Sequence, residues 1–512
     1  MMVAMTARSI TPPAVAVRAG ASSGWLYGPA IDLLLGAGVV YLVTLPLLIG
    51  LDRRGQMTAW SITAATMLSL FISGPHYGAT ILRVYDRRED RRQYTLFAIW
   101  ATAALAGLFV VGLHWVLLGS ILVTAYATWT PWHFSGQNYG VALMFLRRRG
   151  IQIDPRTKHF IYASFVTSFL LSIAVMHSVA STVAADSTWM QGASAYRFLS
   201  LGIPQTATRL AVWGTALAYG VSLVGAGLLL LRRARAIDLL PVACIALMQS
   251  AWFALPAALP ILVHVRLGGP AFDALWLSAA HSTQYLWVTS FYASQEQRAH
   301  NGPQHRDLAL RSWWVRTLLA GSMVTTFPAI VFAPGVLGTF AWDNGLSMLL
   351  VSVVNLHHFV LDGAIWKLRD GRVARLLLRD VRAGSESASG PAPRIRWGRS
   401  IVAAVGTVSL AVALFDYWQR DLVINRAGED LEAIVRSTQR LAWIGRDAAG
   451  VHTYLAGKWI ERGQRDEAIA EYQRSLAIHE DPDARLVLRE LESAAALAAG
   501  APAAAAVAPA ID

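Results

Sequence analysis

Four histidines of this chain are each followed, three or four residues later, by a polar side chain. The pairs are His76 with Thr80, His133 with Gln137, His281 with Gln284, and His358 with Asp362. Spacings of three and four place both members of a pair on the same side of a helix. Imidazole binds iron, copper and zinc, and a carboxylate among several histidines favours non-haem iron or zinc with an open position. If the four helices converge, these residues predict a metal site.

The candidate metal ligands include both members of an adjacent pair of histidines. His357 and His358 are about 100° apart on a helix, so at most one of them shares a face with Asp362. His358 has the better spacing, and His357 remains a candidate because a kinked helix could exchange the two. The predicted ligands are His76, His133, His281, His357, His358 and Asp362. Gln137, Gln284 and Asp362 are the predicted catalytic residues, because they could orient an imidazole or contact a substrate.

The composition indicates what surrounds these groups. Of 512 residues, 55% are hydrophobic and only 15% are charged, and 19 are tryptophan. A soluble globular protein is about one quarter charged. We therefore predict an all-α, polytopic integral membrane helix bundle. Within such a bundle a lone histidine commonly serves as an interhelical hydrogen-bonding group, whereas a set of ionisable residues marks a functional site.

Apolar runs of roughly 20 residues are long enough to span a bilayer as helices, and the sequence contains about eleven of them. They lie near 30–51, 57–82, 94–113, 115–146, 159–181, 209–231, 237–265, 271–293, 313–338, 341–366 and 399–418. Basic clusters follow the even-numbered runs, which predicts an inner (plasma) membrane protein with its N-terminus in the cytoplasm and its C-terminal domain periplasmic or extracellular. The four histidines that have polar partners then lie on helices of one direction and could share a layer.

The composition changes after residue 418 and divides the chain. Residues 419–512 contain 11 Lys and Arg against 15 Asp and Glu, whereas the whole chain has a net charge of +12. The predicted regions are a disordered cytoplasmic tail (1–25), a transmembrane helical domain (26–418), a small soluble helical-repeat domain (419–492) and an Ala/Pro-rich disordered tail (493–512).

The segment YLAGKWIERGQRDEAIAEYQRSLAIHED, residues 454–481, resembles a tetratricopeptide repeat. The matching packing positions are Leu455, Trp459, Gly463, Ala468, Tyr472, Leu476 and Ala477. One repeat cannot bury a solenoid core alone, so we expect it to pack on residues 426–450 or on a partner protein. An amphipathic helical hairpin with no binding role is an equal alternative.

Several functional classes are disfavoured. The sequence has no GxxxxGK[ST] phosphate loop, so no nucleotide-binding site that could drive transport is recognised. The single cysteine, Cys244, excludes an intramolecular disulfide and covalent haem attachment through a Cys-x-x-Cys-His motif. The positive charge is explained by the bias of cytoplasmic loops, and no nucleic-acid partner is implied.

In kind, the intramembrane histidines resemble those of membrane-bound non-haem iron enzymes, including desaturases, hydroxylases and the bacterial carotene-cleaving family. Desaturases and hydroxylases have dense His-x-x-His-His and His-x-x-x-His boxes, whereas only His357 and His358 are adjacent here, which favours one metal ion over two. The resemblance implies a metal-dependent oxidoreductase of the oxygenase, hydroxylase or desaturase type.

We expect such an enzyme to act on a lipid or isoprenoid, a hydrophobic small molecule that reaches the site from the bilayer. Iron is the expected metal, with zinc or copper as alternatives. Three other functions remain open: a b-haem or quinone electron-transfer protein, a transporter without metal, and an assembly factor that recruits a partner through the repeat-like domain.

Overall fold

The computed structural model describes most of the chain, and its regular structure is helical. It covers residues 24–53, 64, 66–86, 92–179, 196–265, 270–301, 306–333, 345–366, 371–378 and 396–498. Within these ranges there is no strand, and a single bridge joins Ser178 to Ile203. The predicted all-helical class is confirmed for this part of the chain. Most of the predicted N-terminal tail (1–23) and the end of the predicted C-terminal tail (499–512) lie outside the described residues.

The helices of the membrane part are numbered in chain order. They are α1 (Pro29–Gly36), α2 (Val39–Arg53), α3 (a π-helical turn Ser69–Ser73 followed by Gly74–Tyr85), α4 (Leu96–His114), α5 (Val116–Arg148), α6 (Pro155–Met176), α7 (Gln205–Leu231), α8 (Ala236–Leu262), α9 (Pro270–Asn301), α10 (Arg306–Val331), α11 (Ser347–Ile365), α12 (Gly371–Leu378) and α13 (Arg396–Tyr417).

Seven helices of the described part are long and apolar enough to cross a bilayer, and the bent pair α1 and α2 makes an eighth if it counts as one span. The predicted total of about eleven is therefore not confirmed. The other three predicted spans are 57–82, 115–146 and 271–293. Residues 57–63 and 65 of the first are not among the residues that the structure describes. These three carry His76, His133 and His281. Polar residues lower the mean hydropathy of α5 and α9, although α11 qualifies as a span while carrying His358 and Asp362.

The outward faces of the apolar helices suit a bilayer. Along α7, Leu210, Leu217 and Val224 are exposed by 70%, 70% and 60%. Apolar side chains on a continuous helix face meet lipid without cost, because the helix satisfies its own backbone groups.

Helix α5 lies at the centre of the membrane part. It packs against α4, α6, α8 and α11. Its C-terminal half, including Met144 and Phe145, forms a buried apolar cluster with Trp287 and Phe291 of α9. This packing fixes α5 and α9, two of the helices that carry candidate ligands.

Helices α3 and α10 cross with their backbones in contact. A Cβ atom at Gly78 would overlap the carbonyl oxygen of Thr317, and one at Gly321 would overlap the carbonyl oxygen of Gly74. Gly74 and Gly78 thus form a small-xxx-small face, which permits close approach of membrane helices. The contact holds α3 so that His76 and Thr80 lie on buried positions of the helix.

The first helix is broken between Gly36 and Val39. Helices α1 and α2 meet at 55°, and Gly38 has a φ of 75°, which a glycine adopts without strain. A side chain at Gly36 would collide with the ring of Trp287. The break frees backbone groups inside the bundle, which is tolerated where the irregular backbone is buried in protein.

The C-terminal part is joined to α13 by continuous helix. A π-helical turn, Trp418–Val423, and a 3-10 turn, Ile424–Arg426, continue α13 past the predicted boundary at 418. The following helices are α14 (Leu431–Ala442), α15 (Ala449–Glu461), α16 (Arg465–Ile478) and α17 (Pro482–Ala498). Helix α17 extends beyond residue 493, where the sequence predicts the start of a disordered tail.

Helices α15 and α16 form a hairpin where the sequence predicts a tetratricopeptide repeat. Gly463 turns the chain between them with a φ of 74°. Leu455 of α15 packs against Leu431 and Ile434 of α14, within residues 426–450. Assignment of this hairpin to the repeat family stays a prediction.

Candidate metal centre

Helices α3, α5, α9 and α11 each contribute one histidine to a single cluster. His76, His281 and His358 are each 2% exposed, and the side chain of His133 is 9% exposed. The ring centroid of His76 lies 4.1 Å from that of His358 and 5.0 Å from that of His281. The ring of His133 lies 5.0 Å from each of His281 and His358. The structure thus brings four of the selected histidines together from four helices.

Six ring nitrogens of this cluster are buried and have no hydrogen-bond partner in the described part of the chain. They are both nitrogens of His76, both nitrogens of His281, Nε2 of His133 and Nε2 of His358. Leaving a buried polar atom unpaired costs roughly 1–3 kcal/mol, so such groups are rare and require an explanation. A neutral imidazole has one nitrogen with a free lone pair, which is the form that binds a metal ion. A cation among these rings would supply the missing partner.

Asp362 completes the cluster one helical turn after His358. Its Oδ1 accepts hydrogen bonds from Tyr285 Oη at 2.8 Å and from Thr80 Oγ1 at 3.1 Å. Its Oδ2 lies 3.3 Å from Nε2 of His358 and 4.0 Å from Nε2 of His133. Neither nitrogen is hydrogen-bonded to it, although the 3.3 Å distance alone would allow a bond. One carboxylate oxygen is therefore held by hydroxyl groups, while the other faces the same space as the imidazole nitrogens.

Thr80 fixes the ring of His358 as well as the carboxylate. Its Oγ1 lies 2.9 Å from Nδ1 of His358 and 2.6 Å from Oη of Tyr285. Trp366 Nε1 donates to the same tyrosine oxygen at 2.9 Å. Hydrogen bonds of this kind set the orientation and basicity of a metal-ligating histidine. With Nδ1 occupied, Nε2 of His358 is the nitrogen that is left to bind a cation.

Two overlapping groups of three residues have ligand atoms within 4.8 Å of one another. One group is His76, His281 and His358, and the other is His133, His358 and Asp362. Three histidines are a typical zinc ligand set, and two histidines with one carboxylate are typical of non-haem iron. Both groups use His358, which offers one nitrogen. The arrangement therefore suits one ion, not two.

Aromatic rings cover the cluster. Phe134 stacks on His281 with the ring centroids 3.9 Å apart, and Phe359 stacks on His133 at 4.2 Å. Both phenylalanines are buried. They limit rotation of the imidazoles and keep water away from them.

The two predicted catalytic glutamines lie beside the cluster, but their hydrogen bonds go elsewhere. Gln137 Nε2 donates to the carbonyl oxygen of His281 at 3.1 Å and to Oε1 of Gln284 at 2.7 Å. Gln284 Nε2 donates to the carbonyl oxygen of Gly36 at 2.8 Å. These bonds tie α5, α9 and the broken end of α1 together. The glutamines thus position the backbone of the site helices rather than an imidazole nitrogen.

His357 lies apart from the cluster. Its Nε2 is 2.9 Å from Oγ1 of Thr102 on α4, and its side chain lines a cavity between α4 and α10. The helix is regular through this position, so the predicted exchange of His357 with His358 through a kink does not occur.

Tyr285 and Trp366 are site residues that the sequence reasoning does not select. Tyr285 follows His281 by four residues, and Trp366 follows Asp362 by four. The spacing that identifies the other pairs therefore identifies these two as well. The signal is weak because aromatic residues at helical spacing are common in membrane bundles.

The chain matches no protein-family model, and no curated protein or solved structure is significantly similar to it. The resemblance to membrane-bound non-haem iron enzymes therefore stays at the level of residue types and their placement in helices.

Proposed function

We propose that the protein binds one transition-metal ion among His76, His133, His281, His358 and Asp362 and acts as a membrane-embedded oxidoreductase. The observation that carries this proposal is the set of six buried imidazole nitrogens without partners. Interhelical hydrogen bonding would pair such nitrogens with donors or acceptors on neighbouring helices, as Thr102 pairs with His357. Imidazoles that face one another are instead typical of a cation site.

Iron is the ion that the donor set favours. All candidate donors are nitrogen or carboxylate oxygen, and the group of His133, His358 and Asp362 has the composition of an iron site with open positions. Zinc and copper also bind imidazole and remain alternatives. When bound, the ion would supply Lewis acidity and, for iron or copper, a change of oxidation state.

The residues around the ligands have separate roles in this proposal. Thr80 and Tyr285 hold one oxygen of Asp362, so that the other oxygen remains directed at the imidazoles. Phe134 and Phe359 exclude water and hold two of the rings. A dry site of this kind strengthens electrostatic interactions with a bound substrate.

A lipid or isoprenoid is the substrate class that fits the surroundings. The centre lies among helices whose outer faces are apolar, and the rings next to it are aromatic. A substrate of this class would enter from the bilayer, where a charged metabolite is disfavoured. Desaturation, hydroxylation and oxygenation of such a chain are the reaction types proposed.

Axial ligation of a b-type haem is less compatible with the same geometry. A haem macrocycle has to lie between its two axial imidazoles. Here the ring centroids of His76 and His358 are 4.1 Å apart, and both rings pack edge to face against further side chains. A transporter would need no metal, and metal analysis distinguishes it from the proposed enzyme.

We also propose that the C-terminal helices lie outside the cytoplasm and recruit a partner protein through α15 and α16. The placement of basic clusters after even-numbered predicted spans supports this orientation. A compartment-specific reporter fused after residue 498 should be active only outside the cytoplasm. Activity inside would reverse the proposed orientation without affecting the metal centre.

The central experiment compares His358→Ala with His357→Ala, which removes the neighbouring imidazole outside the cluster. Elemental analysis of the detergent-purified proteins should find about one metal ion per chain in the wild type and in His357→Ala, and little in His358→Ala. An optical spectrum without a Soret band would agree with non-haem metal. Equal metal content in the two variants, or none in the wild type, would contradict the proposal.

The reaction class has its own test. The purified proteins are incubated with a lipid and isoprenoid extract in the presence and absence of O2, and the products are analysed by mass spectrometry. We expect gain of an oxygen atom or loss of two hydrogen atoms with the wild type and with His357→Ala only. If the wild type binds metal but forms no such product, the metal site would stand and the proposed oxidoreductase function would be wrong.

A further inference from the structure

A cavity of about 940 Å³ separates α4 from α10 and α13. Helix α4 packs on α5 and α11, whereas α10 packs on α3 and α13. The space between α4 and α10 is also lined by residues of α3, α9 and α11. Residues of six helices, α3, α4, α9, α10, α11 and α13, therefore line the cavity.

The walls of the cavity are apolar and long. Leu105 and Phe109 line it from α4, Leu319 and Phe327 from α10, and Val354 from α11. The lining along α10 and its end runs from Ser312 to Phe332, about 30 Å at 1.5 Å per residue. This length equals the thickness of the hydrocarbon core of a bilayer. The shape suits an extended hydrocarbon chain.

One end of the cavity has an excess of positive charge. Arg316 Nη2 lies 2.8 Å from Oδ1 of Asp86, and Arg399 Nε lies 3.4 Å from the same oxygen. Two guanidinium groups thus share one carboxylate. Among the residues that the structure describes, Arg399 Nη2 is buried and has no hydrogen-bond partner. Arginine binds phosphate and carboxylate groups with strong, charge-assisted hydrogen bonds, so this end is complementary to an anion.

The cavity does not belong to the metal centre. On α3, Thr80 faces the metal centre, whereas Ile81 and Leu82 line the cavity. On α11, His358 faces the metal centre, whereas His357 lines the cavity. The same two helices therefore present one face to each site.

We propose that this cavity binds an anionic membrane lipid, with its phosphate at Arg316 and Arg399 and one hydrocarbon chain between α4, α10 and α11. The charged end recognises the head group and the apolar walls hold the chain. A neutral isoprenoid or quinone would leave the unpaired guanidinium nitrogen without an anion. The proposal goes beyond the metal centre and does not depend on it.

Native mass spectrometry of the full-length protein in detergent tests the proposal. The protein is titrated with phosphatidylglycerol or with phosphatidylcholine of the same chains. We expect one phosphatidylglycerol to bind preferentially. Arg399→Gln should weaken this binding about tenfold or more, because a charge-assisted hydrogen bond is lost. The matched control is Arg311→Gln, which removes an exposed charge of α10 outside the cavity.

A second pair of variants tests the chain pocket. Ala403→Phe places a large ring in the cavity and should reduce lipid binding, whereas Ala404→Phe on the neighbouring exposed position should not. Equal uptake of the two lipids, or lipid uptake unaffected by Ala403→Phe, would overturn the proposal. Full competition by inorganic phosphate would show an anion site without a chain, which also overturns it. His358→Ala should bind the lipid normally even if the metal is lost.

Discussion

His452 of the C-terminal domain and the four histidines of the candidate metal centre are all buried, but their ring nitrogens have opposite surroundings. His452 Nδ1 lies 2.5 Å from Oε2 of Glu471, and Nε2 lies 3.0 Å from Oδ1 of Asp447. In the metal centre, six nitrogens have no partner at all in the described structure. The number of buried histidines alone would not separate the two regions.

The ring nitrogens of His452 are paired with carboxylates of the chain, and this pairing determines the charge of the ring. Burial lowers the pKa of His452, but hydrogen bonds and charge interactions with Asp447 and Glu471 outweigh this and raise the pKa to about 9. His452 is therefore itself the cation that joins α15 to α16. The membrane histidines face one another, and a cation from outside the chain could bind one nitrogen of each ring. A structural histidine and a candidate ligand are thus distinguished by the partners of both ring nitrogens.

His281→Ala and His452→Ala should have opposite effects on metal binding and on the stability of the C-terminal domain, and these are the largest effects expected. Removing a residue that only hydrogen-bonds a metal ligand lowers metal affinity by up to roughly 100-fold. His281→Ala removes a ligand itself, so it should lower the affinity by more than this while the protein yield stays near normal. His452→Ala should keep the metal and destabilise the C-terminal domain by on the order of 2–3 kcal/mol, because two carboxylates lose a charged partner. Metal content per chain and chemical denaturation measure the two effects. Metal loss in His452→Ala would remove the distinction.

Tyr285→Phe should have a smaller effect on the metal than loss of a ligand. It removes the hydroxyl group that donates to Oδ1 of Asp362 and should reduce metal affinity about 10 to 100-fold. Tyr219→Phe is the control, because its hydroxyl group bonds Ser250 away from the cluster. Competition with a chelator measures the affinity. Unchanged affinity in Tyr285→Phe would mean that Asp362 does not hold the ion.

The C-terminal hairpin should lose stability in alkaline solution. Because the pKa of folded His452 is about 9, above the usual value of about 6.5, its contribution is complete below about pH 6.5 and is lost as the pH rises through about 9. Hydrogen exchange of α15 and α16 measures local stability. At each pH the protection of the wild type is compared with that of His452→Gln. The difference between the two proteins should shrink toward zero above pH 9. A difference that is constant from pH 6 to pH 10 would contradict this account.

The smallest effect is expected for a neutral hydrogen-bond network between α5, α6 and α8. Gln249 Nε2 donates to Ser135 Oγ at 2.6 Å and to Ser168 Oγ at 2.7 Å. Ser168→Ala should cost about 0.6 kcal/mol, the average for an interhelical hydrogen bond in a membrane protein, and should leave the metal unchanged. Ser164→Ala is the control, because its hydroxyl group bonds its own helix. A loss of metal in Ser168→Ala would extend the site to this network.

The convergence of the histidines was foreseeable because spacing on one helix defines a face, and polar faces in membrane helices turn inward. His76 with Thr80 and His358 with Asp362 follow this rule directly. Their role as ligands stays a prediction. The bonding of Gln284 could not be foreseen, since its Nε2 donates to a carbonyl oxygen released by the break at Gly36, and Gln137 in turn donates to Gln284. Helical periodicity predicts which residues share a face of one helix. It does not predict that Gln284 meets the carbonyl oxygen of Gly36 on another helix.

The number of spans was harder to derive for a related reason. Polar site residues make a helix less apolar, and of the four site helices only α11 is identified as a span by length and hydropathy in the described part of the chain. Helix α5, with His133 and Gln137, is long enough to span but lies outside the set that passes the combined criterion. The choice between His357 and His358 was decided by the regularity of α11.

The separation of the ligands along the chain also dictates an order of assembly. Thr80, one helical turn after the ligand His76, and Asp362 are 282 residues apart, so at about 5–20 residues per second the ribosome completes the second roughly 15–60 s after the first. During that interval α3 and α5 are already in the membrane with their imidazoles unmatched, which neutral rings tolerate. If the proposed ion binds, it can therefore be loaded only late in biogenesis, and chains that terminate before α11 should be inserted without metal.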